Sequence, residues 1–344
     1  MATIVCRELG FLRILRKYPF TVLLMAACLG AVPVAGLVKV TRPYRARIAS
    51  VLFRKTSPAV TQSGCPMLPL DNIWNRSVAG LAVDSRSRDY VDSIGAESPL
   101  HPDFGPGSGI PYAVSDGSEP PAFLSLGSGA SESDHGTYRI PENAPIEAEG
   151  AGDAHVLILN RRDCMLYELF ASVHQGPREW SAGSAAIFDL RSNHLRPEGW
   201  TSADAAGLPI LPGLIRYDEV AAGHIRHALR FTARHTRRAY IWPARHFASR
   251  STDPNLPAMG QRFRLRASYN LDGFSAQARV ILSAMKEYGI MLADNGGDWF
   301  VSGAPDSRWA SGLPAELRRV HGSDFEAVDV TPLMIAPDSA QTRP

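Results

Sequence analysis

Carboxylates and aromatic side chains gather in the middle of the chain, on a loop that cannot be a regular strand. Residues 199–219 read GWTSADAAGLPILPGLIRYDE. Pro209 and Pro212 lack the N–H that a strand ladder needs, so this stretch must be a shaped loop. Asp204 stands before the prolines and Glu219 after them. A long rigid loop bearing such groups suits a functional site better than a spacer.

The chemistry that these residues best suit is glycoside hydrolysis, which needs two carboxyl groups at a fixed separation. We predict Asp204 and Glu219 as the catalytic pair and Asp294 as the reserve carboxylate. Glu147 and Asp153 are further candidates. Asp218 adjoins Glu219, and in a strand the two would point to opposite faces, so at most one of them would face the site.

Aromatic, basic and histidine side chains near the loop could bind the substrate. Trp200 and Trp242 could stack on sugar rings, although packing in the core is an open alternative for both. The predicted substrate-binding residues are Trp200, Arg216, Asp218, His227, Trp242 and His246.

The histidines leave two other kinds of site open. His155, His227 and His246 could bind a metal together with an acid. A His, or Tyr217, could instead abstract a proton next to a uronate carboxylate, as a polysaccharide lyase requires. The arginines that would neutralise that carboxylate are Arg216, Arg230 and Arg245. His227 and Arg230 are three residues apart and would face opposite sides of a strand, which weakens a direct partnership.

Motifs for cofactors and for common hydrolases are missing from the sequence. It contains no GxSxG, P-loop or HExxH motif, and no GxGxxG between a strand and a helix. We therefore predict no cofactor and assign no metal site.

Short β-type runs predominate in the elements that must position these residues. Phe263, Leu265, Ala267 and Tyr269 alternate with polar residues, as is typical of a strand. This run covers residues 262–269. The other predicted strands are 155–160, 165–173, 185–190, 225–232, 239–242 and 299–302. The sequence favours a mainly β, α+β fold, with a β-sandwich or jelly-roll-like core.

One or two helices are added to this core. Ser275 can cap a helix over 275–288, and Gly289 can end it. A second, short helix is predicted at 314–320. There is no alternation of strands and helices, which disfavours Rossmann and TIM-barrel folds.

The chain divides into four predicted segments. Residues 1–38 are a signal peptide or membrane anchor, because 18–38 are uncharged and follow basic residues. Residues 39–64 form a basic and polar tether, 65–330 a single globular domain, and 331–344 a loose tail. We expect an exported protein that is periplasmic, extracellular or anchored to the envelope through residues 18–38.

Charge is distributed unevenly between the targeting segment and the body. The whole chain carries 36 basic and 34 acidic residues, a net charge of +2. Residues 1–59 contain ten Lys and Arg and one Glu, so the remaining 285 residues have a net charge of −7. A body with excess negative charge is poorly suited to neutralising phosphates, so nucleic acid is not an expected partner.

Cys65 and Cys164 are the cysteines of the body. They could form one disulfide in an oxidising compartment or remain two buried thiols. Export favours the disulfide. Neither cysteine has the spacing of a zinc site.

Several stretches of the body resemble a known family. They are DAHVLILNRRDCMLYELF, GWTSADAAGLPILPGLIRYDEV, IRHALRFT, YIWPARHFAS and YGIMLADNG. They are similar to a family of secreted bacterial and fungal proteins that are known mainly as uncharacterised sequences. The resemblance covers roughly 65–330 and implies export and a single domain. It implies no activity and no functional residue.

We therefore predict an exported carbohydrate-active enzyme, a glycoside hydrolase that acts on a polysaccharide or oligosaccharide. The alternatives are a polysaccharide lyase and a non-catalytic glycan-binding or cell-envelope protein. Convergence of the candidate acids and histidines on one cleft would support an enzyme. Scattered acids and an exposed strip of aromatics would support the binding protein.

Overall fold

The computed structural model describes residues 61–344. The predicted targeting segment, 1–38, and the tether up to residue 60 lie outside the described residues. Within 61–344, no helix combines the length and apolar character that crossing a membrane requires.

Short strands make up most of the regular structure. They are β1 (Thr61–Gln62), β2 (Cys65–Pro66), β3 (His101–Asp103), β4 (Tyr112–Ser115), β5 (Phe123–Leu126), β6 (Val156–Asn160), β7 (Met165–Phe170), β8 (Val173–Gly176), β9 (Glu179–Ala182), β10 (Ser184–Asp189), β11 (Leu229–Ala233), β12 (Arg262–Leu265), β13 (Ile290–Asn295), β14 (Phe300–Ser302) and β15 (Phe325–Val328). The α-helices are α1 (Ser87–Ile94), α2 (Tyr217–Ala221), α3 (Ala276–Glu287) and α4 (Leu313–Leu317).

The strands form several sheets, which confirms the predicted mainly β, α+β fold. A six-stranded mixed sheet has the order β15-β12-β13-β11-β14-β3. A four-stranded sheet has the order β10-β7-β6-β4, and a three-stranded sheet the order β5-β9-β8. The β1–β2 pair forms a separate small hairpin.

The four-stranded sheet is apolar on both faces, as its strand β6 shows. Leu157 and Leu159 pack in the core cluster that also contains Leu229 and Phe263 of the six-stranded sheet. Val156 and Ile158 pack in a second cluster with residues of the three-stranded sheet. All five residues of β6 are buried. This explains why its sequence, VLILN, is a continuous apolar run without alternation.

The long predicted helix is confirmed as α3. The Ser275 hydroxyl accepts a hydrogen bond from the Ala278 N–H, as an N-cap does. Gly289 follows the helix with φ of 72°, where a Cβ would lie 2.2 Å from the Phe263 carbonyl oxygen. Only glycine fits this close approach, so the chain turns directly from α3 into β13.

Three local predictions need correction. Residues 239–242 form no strand; Tyr240 makes one isolated bridge, to Met259. Asp218 and Glu219 lie on α2, so the argument from strand faces does not apply to them. The strand at 262–269 ends at Leu265.

The segment 331–344, predicted to be loose, packs against the body. The Ala340 N–H donates to the Asn193 carbonyl, and the Thr342 N–H donates to the Asp71 carbonyl. Ala340 and Thr342 are both buried. These contacts correct the prediction of a loose tail.

The polar side chains of β12 do not face solvent. Arg262 is buried, and its guanidinium donates to the carbonyls of Tyr288 (2.6 Å) and Ile73 (3.0 Å). Arg264 is buried too and binds Glu326 and nearby carbonyls. Carbonyl acceptors allow arginine to occupy a face that the alternating pattern assigns to solvent.

A disulfide joins Cys65 to Cys164, with Cα atoms 5.4 Å apart. It ties the β1–β2 hairpin to the turn between β6 and β7, across 99 residues of sequence. A buried disulfide is compatible with an exported protein, because such bonds persist in oxidising compartments.

Candidate functional site

A row of polar side chains crosses one face of the six-stranded sheet. The pairing of Phe231 with Val301 sets Arg230 of β11 opposite Ser302 of β14. Ser302 in turn pairs with Asp103 of the edge strand β3. On the other side of β11, Thr232 pairs with Asp294 of β13. The register therefore brings the carboxylates of Asp103 and Asp294 to the same face of the sheet as Arg230 and Ser302.

Arg230 is the centre of this row. Its Nε donates to Asp204 Oδ2 at 2.7 Å, its Nη2 donates to Asp204 Oδ1, and its Nη1 donates to Ser302 Oγ at 2.5 Å. The Asp204 side chain is 0% exposed. The two-pronged contact fixes both carboxylate oxygens of Asp204 on the guanidinium.

Asp294 lies beside this pair and reaches solvent. Its Oδ2 is 3.6 Å from Arg230 Nη2, and its side chain is 17% exposed. Burial and the neighbouring Asp204 carboxyl group raise the pKa of Asp294 to about 8, against the opposing effect of Arg230. Asp294 therefore carries a proton near neutral pH, which an ordinary aspartate does not.

Glu147 and His155 form a second polar pair, next to the residues that surround Arg230. His155 Nδ1 lies 2.5 Å from Glu147 Oε2, and His155 Nε2 lies 3.1 Å from the Ala203 carbonyl oxygen, one residue before Asp204. Burial lowers the pKa of His155, but Glu147 outweighs this effect and raises it overall. Burial likewise raises the pKa of Glu147, and His155 reverses that shift. The pair therefore favours a carboxylate and an imidazolium.

Glu219 belongs to a separate group with Arg216 and His227. Its Oε2 is 2.9 Å from Arg216 Nη2 and 3.1 Å from His227 Nε2. Burial raises the pKa of Glu219, but the two basic neighbours lower it to about 2. The structure thus brings Asp204 together with Asp294, whereas the contacts of Glu219 are with this other group.

The loop that carries Asp204 is held by a residue that the sequence analysis missed. Glu168 of β7 is fully buried and accepts hydrogen bonds from the N–H groups of Ile210 and Leu211. Burial raises the pKa of Glu168 to about 7. A glutamate inside the apolar run MLYELF was the available signal, since a buried acid needs donors.

The other predicted substrate-binding residues are dispersed. Asp218 is exposed and pairs with Arg308 at 2.9 Å. The Trp242 indole N–H donates to the Ser339 carbonyl at 2.8 Å. The Arg196 guanidinium lies 5.6 Å from the Trp200 ring centre. His246 Nδ1 lies 2.8 Å from the Ala205 carbonyl oxygen, near the loop but outside the cluster of carboxylates.

The three histidines considered as metal ligands have different partners. Among residues 61–344, no group of three or more His, Cys, Asp and Glu side chains is arranged to hold a metal ion. His155 binds Glu147, His227 binds Glu219, and His246 lies 3.7 Å from Glu132.

Comparisons with protein-family models, with curated proteins and with solved structures found no match.

Proposed function

We propose that this protein is a glycoside hydrolase in which Asp294 donates the proton to the leaving sugar. The observation that carries the proposal is a part-exposed carboxyl group whose pKa is raised to about 8 beside Arg230 and Asp204. Cleaving a glycosidic bond requires a carboxylic acid that is still protonated at working pH. An export route through an oxidising compartment would agree with a glycan substrate.

Asp204 has a positioning role in this proposal, not the catalytic role first predicted for it. It is fully enclosed, and both of its oxygens bind Arg230. Its effect on the reaction passes through Asp294, whose proton it helps to retain.

Glu147 is our candidate for the second carboxylate. His155 lowers its pKa, and its side chain is 18% exposed. It is close enough to Arg230 for the two charges to influence each other. One ionised and one protonated carboxyl group is the combination that glycoside hydrolysis uses.

The lyase alternative has less support from the contacts. Arg216 and Arg230 already bind carboxylates, and Arg245 donates to the carbonyls of Arg196 and Pro337. A lyase needs such a group free to neutralise a uronate. The binding-protein alternative expects scattered acids, whereas Glu147, Asp204 and Asp294 all interact with Arg230.

The test is release of reducing sugar from a panel of polysaccharides by wild type, Asp294→Asn, Glu147→Gln and the control Asp272→Asn. We expect kcat to fall by about 100-fold or more in the first two variants, because general acid–base catalysis contributes about 10²–10⁴-fold. Asp272 is exposed and belongs to none of the groups described above, so its variant should match wild type.

The pH profile adds an independent readout. Activity should decline above pH of about 8, where Asp294 loses its proton. Full activity in Asp294→Asn would refute the proposed role of Asp294. Products that absorb as unsaturated uronates would indicate a lyase, and glycan binding without cleavage would indicate a binding protein.

A further inference from the structure

A surface cavity of about 580 Å³ lies between the Gly223–Arg226 turn and the outer side of α3. Its lining includes the apolar side chains of Ile225, Val280 and Ala284. Arg226, Arg279 and His224 line it as well. None of its lining residues belongs to the group of Asp204, Arg230, Asp294 and Ser302, which we call the Asp294 cluster.

The guanidinium groups of this cavity lack acidic partners. Arg226 Nη1 is buried and has no hydrogen-bond acceptor within residues 61–344. In the same part of the chain, no carboxylate lies within 4.0 Å of Arg226 or Arg279. The remaining guanidinium nitrogens of Arg226 and those of Arg279 make no hydrogen bond within these residues and are not enclosed, so an acceptor from outside the chain can reach them.

The local charge is opposite to that of the body. Residues 60–344 have a net charge of −7. The cavity nevertheless combines two arginines and a histidine with one carboxylate, that of Glu287. Arg216 and Arg230 differ from the arginines of this cavity, because their guanidinium groups already bind carboxylates of the chain.

We propose that this cavity binds a ligand with an oxyanion group, either a carboxylate, a sulfate or a phosphate. Arg226 and Arg279 would bind the anion, since guanidinium groups match the geometry of oxyanions. Val280 and Ala284 would contact the carbon skeleton. The site is separate from the proposed hydrolysis and needs no catalytic step.

The test is isothermal titration calorimetry of the full chain with trigalacturonate, inorganic sulfate, inorganic phosphate and neutral maltotriose. We expect the anions to bind and maltotriose to give no signal. Arg226→Gln and Arg279→Gln should each weaken anion binding about tenfold or more, since hydrogen bonds between charged groups are the strong ones. Glu287→Gln should strengthen it by removing a like charge.

Controls separate this proposal from the proposed hydrolysis. Arg161→Gln makes the same charge change at an exposed position outside the cavity and should bind like wild type. Asp294→Asn should also bind normally, so loss of activity and loss of binding are distinguishable. Tighter binding of trigalacturonate than of sulfate or phosphate would identify an acidic saccharide, and the reverse order an inorganic oxyanion.

Two results would overturn the proposal. One is that none of the three anions binds. The other is equal affinity in wild type, Arg226→Gln and Arg279→Gln, which would locate the anion elsewhere. Arg279 is exposed, so its replacement tests the site without threatening the fold.

Discussion

Asp294 combines two opposing requirements in one side chain. Its burial beside Asp204 keeps it protonated, which suits proton donation. The same environment penalises the ionised form, so the folded protein holds a proton that the unfolded chain releases at lower pH. A group useful for chemistry is therefore expected to cost stability at alkaline pH.

That cost has a defined pH window. The pKa of Asp294 rises from 3.8 to about 8 on folding, so the folded state binds more protons between these values and its stability falls as pH rises through them. Asp294→Asn mimics the protonated form and avoids this loss. We expect its melting temperature, relative to wild type, to rise from pH 5 to about pH 8 and then to level off.

Thermal unfolding across this pH range checks the prediction. Asp272→Asn, the same change at an exposed residue, should show a flat difference. A flat difference for Asp294→Asn as well would mean that Asp294 is ionised in the folded protein at neutral pH.

The Glu147–His155 pair makes a second contribution that depends on pH. The pKa of Glu147 is lowered on folding, so its contribution is present above its unfolded value and is lost as pH falls through its folded value. The pKa of His155 is raised, so its contribution is full below its unfolded value and is lost as pH rises through its folded value.

The pair should therefore stabilise the protein most at about pH 4.5–6.5, between the ordinary pKa values of the two groups. Replacing both residues in a double-mutant cycle should give a larger coupling energy at pH 5.5 than at pH 9. A coupling energy that is equal at both pH values would contradict an ion pair.

At the scale of elements, the 199–219 loop depends on a strand distant from it in sequence. Glu168 of β7 binds the backbone N–H groups of Ile210 and Leu211, and the loop returns to place Asp204 on Arg230 of β11. The loop is thus fixed between two sheets. Prolines supply its local shape, but buried acids supply its position.

We expect Glu168→Gln to destabilise the protein by about 1–3 kcal/mol, because an amide NH2 replaces the oxygen that contacts the Ile210 N–H and is then a buried donor without an acceptor. Denaturant unfolding measures this loss. Glu179→Gln changes an exposed residue of β9 in the same way and should stay within about 0.5 kcal/mol of wild type. Equal stability of the two variants would show that Glu168 does not hold the loop.

Local signals predicted several elements well and others poorly. The Ser275 cap and Gly289 predicted α3 to within a residue at each end. The run at 239–242 has aromatic residues typical of a strand, but in the fold it makes only an isolated bridge. Glu219 was placed at the end of a loop, whereas it lies on the short helix α2.

Candidate carboxylates could be found from the sequence, but their pairing could not. Asp204 and Arg230 are 26 residues apart, and Asp294 reaches them only through the parallel pairing of β11 with β13. Residue type suggested a Glu219–Asp204 pair. The register of the sheet, which no spacing reveals, instead set Asp294 beside Asp204.

At the scale of the whole molecule, the disulfide closes a long loop of chain. In the chain-entropy model a bond across about 100 residues contributes about 4–5 kcal/mol, so we expect the Cys65→Ser, Cys164→Ser double variant to lose an amount of that order. Denaturant unfolding of this variant measures the loss. Wild type treated with a reductant should approach the same stability, and a loss below about 1 kcal/mol would show that folding does not depend on the bond.

The fold class was predictable at this scale because strand patterns outnumber helical ones throughout the body. The packing of the sheets on one another was not predictable, since it depends on contacts between strands that are distant in sequence. The continuous apolar run of β6 was the one local sign of a strand enclosed on both sides.

That enclosed sheet has a consequence for how the molecule opens. Its strands β6 and β7 are shielded by the six-stranded sheet on one side and by the second apolar cluster on the other. Their backbone amides can exchange with deuterium only when the surrounding layers separate. They should be among the slowest amides to exchange, and their rates should report the global free energy of unfolding.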